Sequence, residues 1–173
     1  FFLPAEIFFI YPTNEHYLMD ISRHIRLAHT SVKKNLKMLK KTGLIIETLE
    51  KKGGRKYPIY KANRDNKIYK KYKIIYNLTS IFESNLTEFI EKKLMPKSIV
   101  EFGSHRRGED TEKSDIDIFV ECKREGLNLA EFEKRLGRKI ELHYKENFTS
   151  YPKELKNNII NGIVLSGFLE GYK

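Results

Sequence analysis

Between Ser114 and Glu121 the chain reads SDIDIFVE, and this alternation constrains its fold more than any other stretch. In an extended strand successive side chains point to opposite faces. Ile116, Ile118 and Val120 therefore enter a core, while Asp115 and Asp117 share the other face. At a rise of about 3.3 Å per residue the two carboxylates stand roughly 7 Å apart. Alone they repel, and a divalent cation between them removes the repulsion. Oxygen-only ligands favour Mg²⁺ or Mn²⁺, which a few carboxylates hold together with the phosphates of a substrate.

A second feature lies eleven residues upstream. KSIVEF (97–102) reads as a short buried strand, and Gly103-Ser104 ends it at a turn into a loop or short helix. The backbone N–H groups of such a turn, with the Ser104 hydroxyl, suit a phosphate. Gly103 leaves the backbone open to close approach. Arg106 and Arg107 add permanent positive charge beside it.

The charge of the chain divides sharply. Residues 1–82 carry 17 Lys and Arg against 6 Asp and Glu, a balance of +11, and residues 83–173 carry 16 against 17, a balance of −1. The excess positive charge therefore sits in the first half, which points to a polyanion as its partner. There the spacing of Leu18, Ile21 and Ile25 predicts a helix over about 17–25. A second helix is expected over 31–41, with Thr30 as N-cap and Val32, Leu36 and Leu39 facing the core. LIIETLE (44–50) and PIYKAN (58–63) read as strands joined through the basic tip KKGGRK, where Gly53-Gly54 suits a tight hairpin and Pro58 an edge position. This order of elements, carried by HYLMDISRHIRLAHTSVKKNLKMLKKTGLI, resembles the winged helix-turn-helix regulators. The resemblance implies double-stranded DNA as partner. Ser31, Lys33, Lys34, Asn35, Lys37 and Lys41 would lie on the recognition helix, and Lys51, Lys52, Arg55 and Lys56 on the wing. Lysine reads base edges poorly, so Ser31 and Asn35 are the expected base readers.

NKIYKKYKIIYNLTSIF (66–82) reads as an amphipathic bridging helix with Ile68, Tyr72, Ile75 and Phe82 on its apolar face, either packed on its own domain or pairing a homodimer. A further helix over 86–94 stops before Pro96. The expected division is 1–65, a helical linker 66–95, and 96–173.

In the last segment Gly103, Ser104, Arg107, Gly108, Ser114, Asp115 and Asp117 together resemble the G-S-x-x-R-G…S-D-x-D signature of the polymerase-β-type nucleotidyltransferases in their minimal form. Arg106 departs from the Ala often found there. The fold class this implies is α+β, a winged helix-turn-helix domain followed by a small mixed-sheet nucleotidyltransferase domain. The resemblance assigns Asp115 and Asp117 to metal. It draws a third carboxylate from a neighbouring strand, RKIELHY (138–144), where Glu141 stands in place of the usual Asp. A helix over 129–136, capped by Asn128 with Glu131 and stopped by Gly137, precedes that strand. His105 and His143 are read as bystanders, and Cys122 as a small buried residue. Gly103, Ser104, Arg107 and Ser114 would hold the triphosphate of ATP or another nucleoside triphosphate. Mg²⁺ (or Mn²⁺) would be the cofactor, and Asp115, Asp117 and Glu141 the catalytic set. The expected reaction moves a nucleotide, AMP from ATP, to a hydroxyl acceptor, and minimal members that act as antitoxins make a partner toxin protein a plausible acceptor. The alternative is a non-enzymatic regulator whose degenerate domain binds nucleotide or a partner.

One cysteine excludes an internal disulfide framework and fits a reducing cytoplasm. No apolar run approaches the ~20 residues of a membrane span. FFLPAEIFFIYP lacks a basic flank and carries Glu6, unlike a signal peptide.

Overall fold

The computed structural model describes residues 4–171, which divide into two compact units between Tyr76 and Asn77. No helix among the described residues is long and apolar enough to cross a membrane.

In the first unit α1 (Glu6–Ile10), β1 (His16–Tyr17), α2 (Leu18–Ile25) and α3 (His29–Lys41) precede the hairpin β2 (Ile45–Lys52)–β3 (Arg55–Ala62). Val32, Leu36 and Leu39 of α3 are buried with Ile21 and Ile25 of α2 and Phe8 and Phe9 of α1, as helical spacing requires. The lysines of α3 lie on its exposed face. The helix begins at His29, two residues earlier than expected. Ala28, in extended conformation, is its N-cap, and Thr30 lies inside the first turn without a capping role. Lys52 pairs with Arg55 across Gly53 (φ +53) and Gly54 (φ +79). Two positive φ values are the requirement of the two-residue turn that matches strand twist. The sheet order is β1-β3-β2, so β3 is central. Pro58 is still tolerated, because β1 covers only Ile59 and Tyr60 and leaves β3 with one neighbour at Pro58.

The bridging helix forms as α4 (Lys67–Ser84), and the boundary between the units falls within it. Its buried face differs from the expected one. Ile68, Ile75 and Phe82 are exposed, while Tyr69, Lys73, Asn77 and Ile81 are buried. The face was obscured because three of those four side chains carry polar ends, each satisfied inside. The Tyr69 hydroxyl donates to the Phe8 carbonyl (2.7 Å), and Lys73 Nζ donates to that of Phe9 (2.7 Å). Asn77 Nδ2 donates to the His105 carbonyl and to Asp110 Oδ1, both at 2.8 Å.

The second unit continues with α5 (Leu86–Leu94), β4 (Ser98–Phe102), the one-turn α6 (Gly103–Arg106), β5 (Ile116–Val120), α7 (Ala130–Leu136), β6 (Ile140–Tyr144), a 3₁₀ turn (Phe148–Ser150), α8 (Lys153–Ile160) and β7 (Ile163–Gly167). The sheet order is β6-β5-β4-β7; β5 and β6 are parallel, and the other pairs antiparallel. Both faces of this mixed sheet are covered at its centre. Ile116, Ile118 and Val120 pack with Ile81, Leu86, Ile90 and Ile99 on one side. Phe119 joins Val100, Phe102, Phe148 and Ile159 on the other. Full burial of each such side chain contributes about 1.5–3 kcal/mol. Phe119 is the member the two-letter alternation hides, because it shares its face with Asp117. The capping box before α7 is replaced by a simpler contact, in which Asn128 Oδ1 accepts from the Ala130 N–H (3.1 Å) and Leu129 is the N-cap.

Candidate functional site

On the β5–β6 pair Asp117 lies in register with Glu141, and Phe119 with His143. Parallel pairing in this register puts Asp117, Glu141 and His143 on one face. One ligand atom from each lies within 4.8 Å of the other two. His143 Nε2 is 3.3 Å from Asp117 Oδ1, with about a quarter of each side chain exposed. The ring of Phe102, across the strand pair from Asp117, packs edge-to-face with the His143 ring, centroids 5.0 Å apart. Glu141 is exposed.

The turn after β4 closes over this group. Gly103 has φ +76, and a Cβ built on it would lie 2.2 Å from Asp117 Oδ2. Both the backbone conformation and the space therefore demand glycine, and Asp117 occupies the room a side chain would fill. Oδ2 is held against Gly103, which leaves Oδ1 on the side of His143 and Glu141. Two carboxylates and an imidazole with converging ligand atoms form a donor set that fits a divalent cation.

Asp115 is not part of this group. β5 begins at Ile116, so Asp115 belongs to the loop before it, exposed beside a cleft of about 370 Å³ that also involves Glu112, Lys113, Ser114, Glu133 and Arg138. Ser114 Oγ accepts from the Thr111 N–H (2.9 Å), fixing that loop. Ser104 lies in the one-turn helix, and its carbonyl accepts from the N–H groups of Arg107 and Glu109. Arg107 is exposed and pairs with Glu109 (Nε to Oε2, 3.0 Å).

Beneath the site lies a buried polar layer that the sequence did not announce. Glu101, 1% exposed on β4, binds Nδ1 of buried His105 at 2.6 Å. Asp110, equally buried, accepts from Asn77 and lies 3.8 Å from the Arg138 guanidinium. These contacts tie α6 and the loop after it to β4, α4 and the start of β6. His143, set aside by the sequence reading, did carry a signal. It stands two residues after Glu141 on the same face, the same spacing that grouped Asp117 with Asp115.

Of the residues assigned to a DNA surface, Ser31, Lys33, Lys34, Lys37 and Lys41 are exposed on α3, and Asn35 is partly buried. Lys51, Lys52, Arg55 and Lys56 are exposed at the hairpin end. Lys52 pairs with Glu50 (3.0 Å) and bonds the Tyr17 hydroxyl (2.8 Å). The Tyr17 hydroxyl also donates to Glu50, and these contacts hold the Glu50 carboxyl below its usual range.

A protein of Methanocaldococcus jannaschii that bears the name "putative protein adenylyltransferase" is 44% identical over 68 residues, covering 35% of this chain and 68% of that relative. No solved structure matches the chain. Residues 83–165 match the nucleotidyltransferase domain, and this span holds the Gly103 turn, Asp117, Glu141 and His143. Through that segment the chain belongs to the nucleotidyltransferase domain family.

Proposed function

We propose that the second unit transfers a nucleotide, AMP from ATP, to a hydroxyl of an acceptor protein. The observation that carries this reading is the convergence of Asp117 and Glu141 at the end of β4, where the missing side chain of Gly103 gives Asp117 its place. The Gly103-Ser104 turn would take the triphosphate, with Arg107 turning from Glu109 toward its charge and Ser114 holding the loop at its edge. Asp117 and Glu141 would hold a divalent cation, Mg²⁺ or Mn²⁺, with Asp115 exposed in the loop just before β5; such an ion, when bound, offsets the charge of the phosphate oxygens. The acceptor oxygen attacks the α-phosphorus, the bond to the β-phosphate oxygen breaks, and pyrophosphate leaves with that electron pair. Glu141, which is exposed, would receive the hydroxyl proton. The protein acceptor rests on the name of the archaeal relative, which applies to that protein.

The first unit, in the same reading, is a winged helix-turn-helix that docks on DNA. The exposed lysines of α3 and the basic hairpin tip support it, because cations on one helix and one tip can follow two stretches of phosphate. The exposed stripe Ile68, Ile75 and Phe82, at seven-residue spacing on α4, supports pairing with a second copy.

The test is transfer itself. Full-length protein is incubated with Mg²⁺, ATP labelled at the α-phosphate, and extract of the source cells. Labelled protein that disappears with Asp117→Asn supports the enzyme. Nucleotide binding without product under Mg²⁺ or Mn²⁺ leaves a non-enzymatic sensor and ends the transferase reading. Loss of the ion's charge stabilisation amounts to several kcal/mol, so the variant should fall by roughly a thousandfold.

A further inference from the structure

We propose that His143 is itself a metal ligand, and that with Asp117 and Glu141 it makes a mixed carboxylate–imidazole centre preferring a first-row transition ion over Mg²⁺. The inference rests on the transferase reading only for the phosphate that would complete the ion's shell. It departs from the oxygen-only set that the D-x-D spacing suggests, and three observations carry it.

The first is distance. Two ligand atoms at adjacent positions on an ion with bonds of about 2.1 Å are about 3.0–3.4 Å apart, depending on geometry, and opposite ones about 4.2 Å. His143 Nε2 and Asp117 Oδ1 are 3.3 Å apart, the spacing of adjacent ligands, and a Glu141 oxygen lies within 4.8 Å of both, so that exposed side chain has at most a small turn to make on binding. The second is orientation. Phe102 packs against the His143 ring, and the ring aims Nε2 at Asp117 Oδ1, the oxygen not held against Gly103. The third is the position of Asp115. It is outside the group, so the third donor nearest Asp117 and Glu141 is a nitrogen. Mg²⁺ demands oxygen and gives up water reluctantly, whereas imidazole suits Zn²⁺, Co²⁺ and neighbouring ions. A simple Asp117–His143 hydrogen bond would account for the one distance; the register that sets Glu141 beside Asp117 brings a third donor within reach of both.

The experiment reads binding, not activity. Full-length protein labelled with ¹⁵N in its histidines is titrated with Zn²⁺, then separately with Mg²⁺, and the imidazole nitrogens of the five histidines are followed. Zn²⁺ should shift Nε2 of His143, assigned by its loss in His143→Gln. Calorimetry should show His143→Gln weakening Zn²⁺ by about tenfold or more while Mg²⁺ changes by less than about twofold. His143→Asp, which restores three carboxylates, should recover Mg²⁺ binding at the expense of Zn²⁺ and guards against a folding defect. An unmoved His143 resonance while Zn²⁺ binds overturns the proposal, as does equal weakening of both ions in His143→Gln. A protein that shifts His143 but makes no labelled product refutes the transferase reading and leaves this one standing.

Discussion

The cations on α3 and the hairpin tip of the first unit and the buried acids of the second are charged side chains put to opposite uses. In the first, the cations of α3 and of the β2–β3 tip are exposed, and their ion pairs, Lys40 with Glu47 and Lys52 with Glu50, lie at the surface. In the second, Glu101, Asp110 and Glu121 are nearly or fully buried, and each meets a named partner: His105, Asn77 and Ser98. Exposed charge acts at range and is screened by salt. Buried charge acts at contact and fixes geometry, because leaving either partner alone in low dielectric is costly. The first unit should therefore respond to ionic strength, and the second to single atoms.

The largest expected effect tests the first half of that contrast. If the eight exposed cations assigned to DNA meet phosphates, affinity for duplex DNA should fall about a thousandfold or more between 50 and 200 mM salt. A gel-shift titration that is flat over this range breaks the comparison. Next comes a single methyl group in the second unit. Gly103→Ala places a Cβ where Asp117 Oδ2 lies and forces a side chain into a positive-φ conformation. Strain of about 1–3 kcal/mol is expected, with metal binding weakened by about tenfold or more in calorimetry. Third, Glu101→Gln keeps the shape but removes the charge facing His105. Disturbing this buried hydrogen bond should cost about 1–3 kcal/mol, read as a lowered Tm, and nucleotide binding should weaken with it as α6 loosens. An unchanged Tm would mean that this pair does not anchor the turn.

The smallest effect returns to the surface. The Tyr17 hydroxyl first, then Lys52, holds the Glu50 carboxyl below its ordinary range. A folded pKa lower than the unfolded one gives stability that is present above the unfolded pKa and disappears as pH falls through the folded one. The Tm difference between the protein and Glu50→Gln should therefore be small at neutral pH and vanish in acid. A difference that grows on acidification reverses the sign and sinks the assignment.

Much of this architecture was legible beforehand, for reasons that can be named. Val32, Leu36 and Leu39 repeat at helical spacing, Ile116, Ile118 and Val120 alternate, and Gly53-Gly54 permits one kind of turn. Each is a local rule in which backbone geometry alone selects the face. The helix α4 escaped such a rule, since its inner face is built from Tyr69, Lys73 and Asn77, polar residues whose burial depends on carbonyls and a carboxylate supplied from elsewhere in the chain.

The same division holds at the candidate site. Sequence by itself determined that Asp117 and Glu141 would sit on strands, that Gly103 would end β4 at an open turn, and that the positive charge would gather in the first unit. Tertiary structure alone decided where β5 begins, and with it that Asp115 stays outside the cluster while His143 enters it. Strand ends and registers are set by pairing between distant segments, here Asp117 opposite Glu141 and Phe102. A one-residue slip of β5 against β6 would turn Asp117 to the face opposite Glu141 and His143.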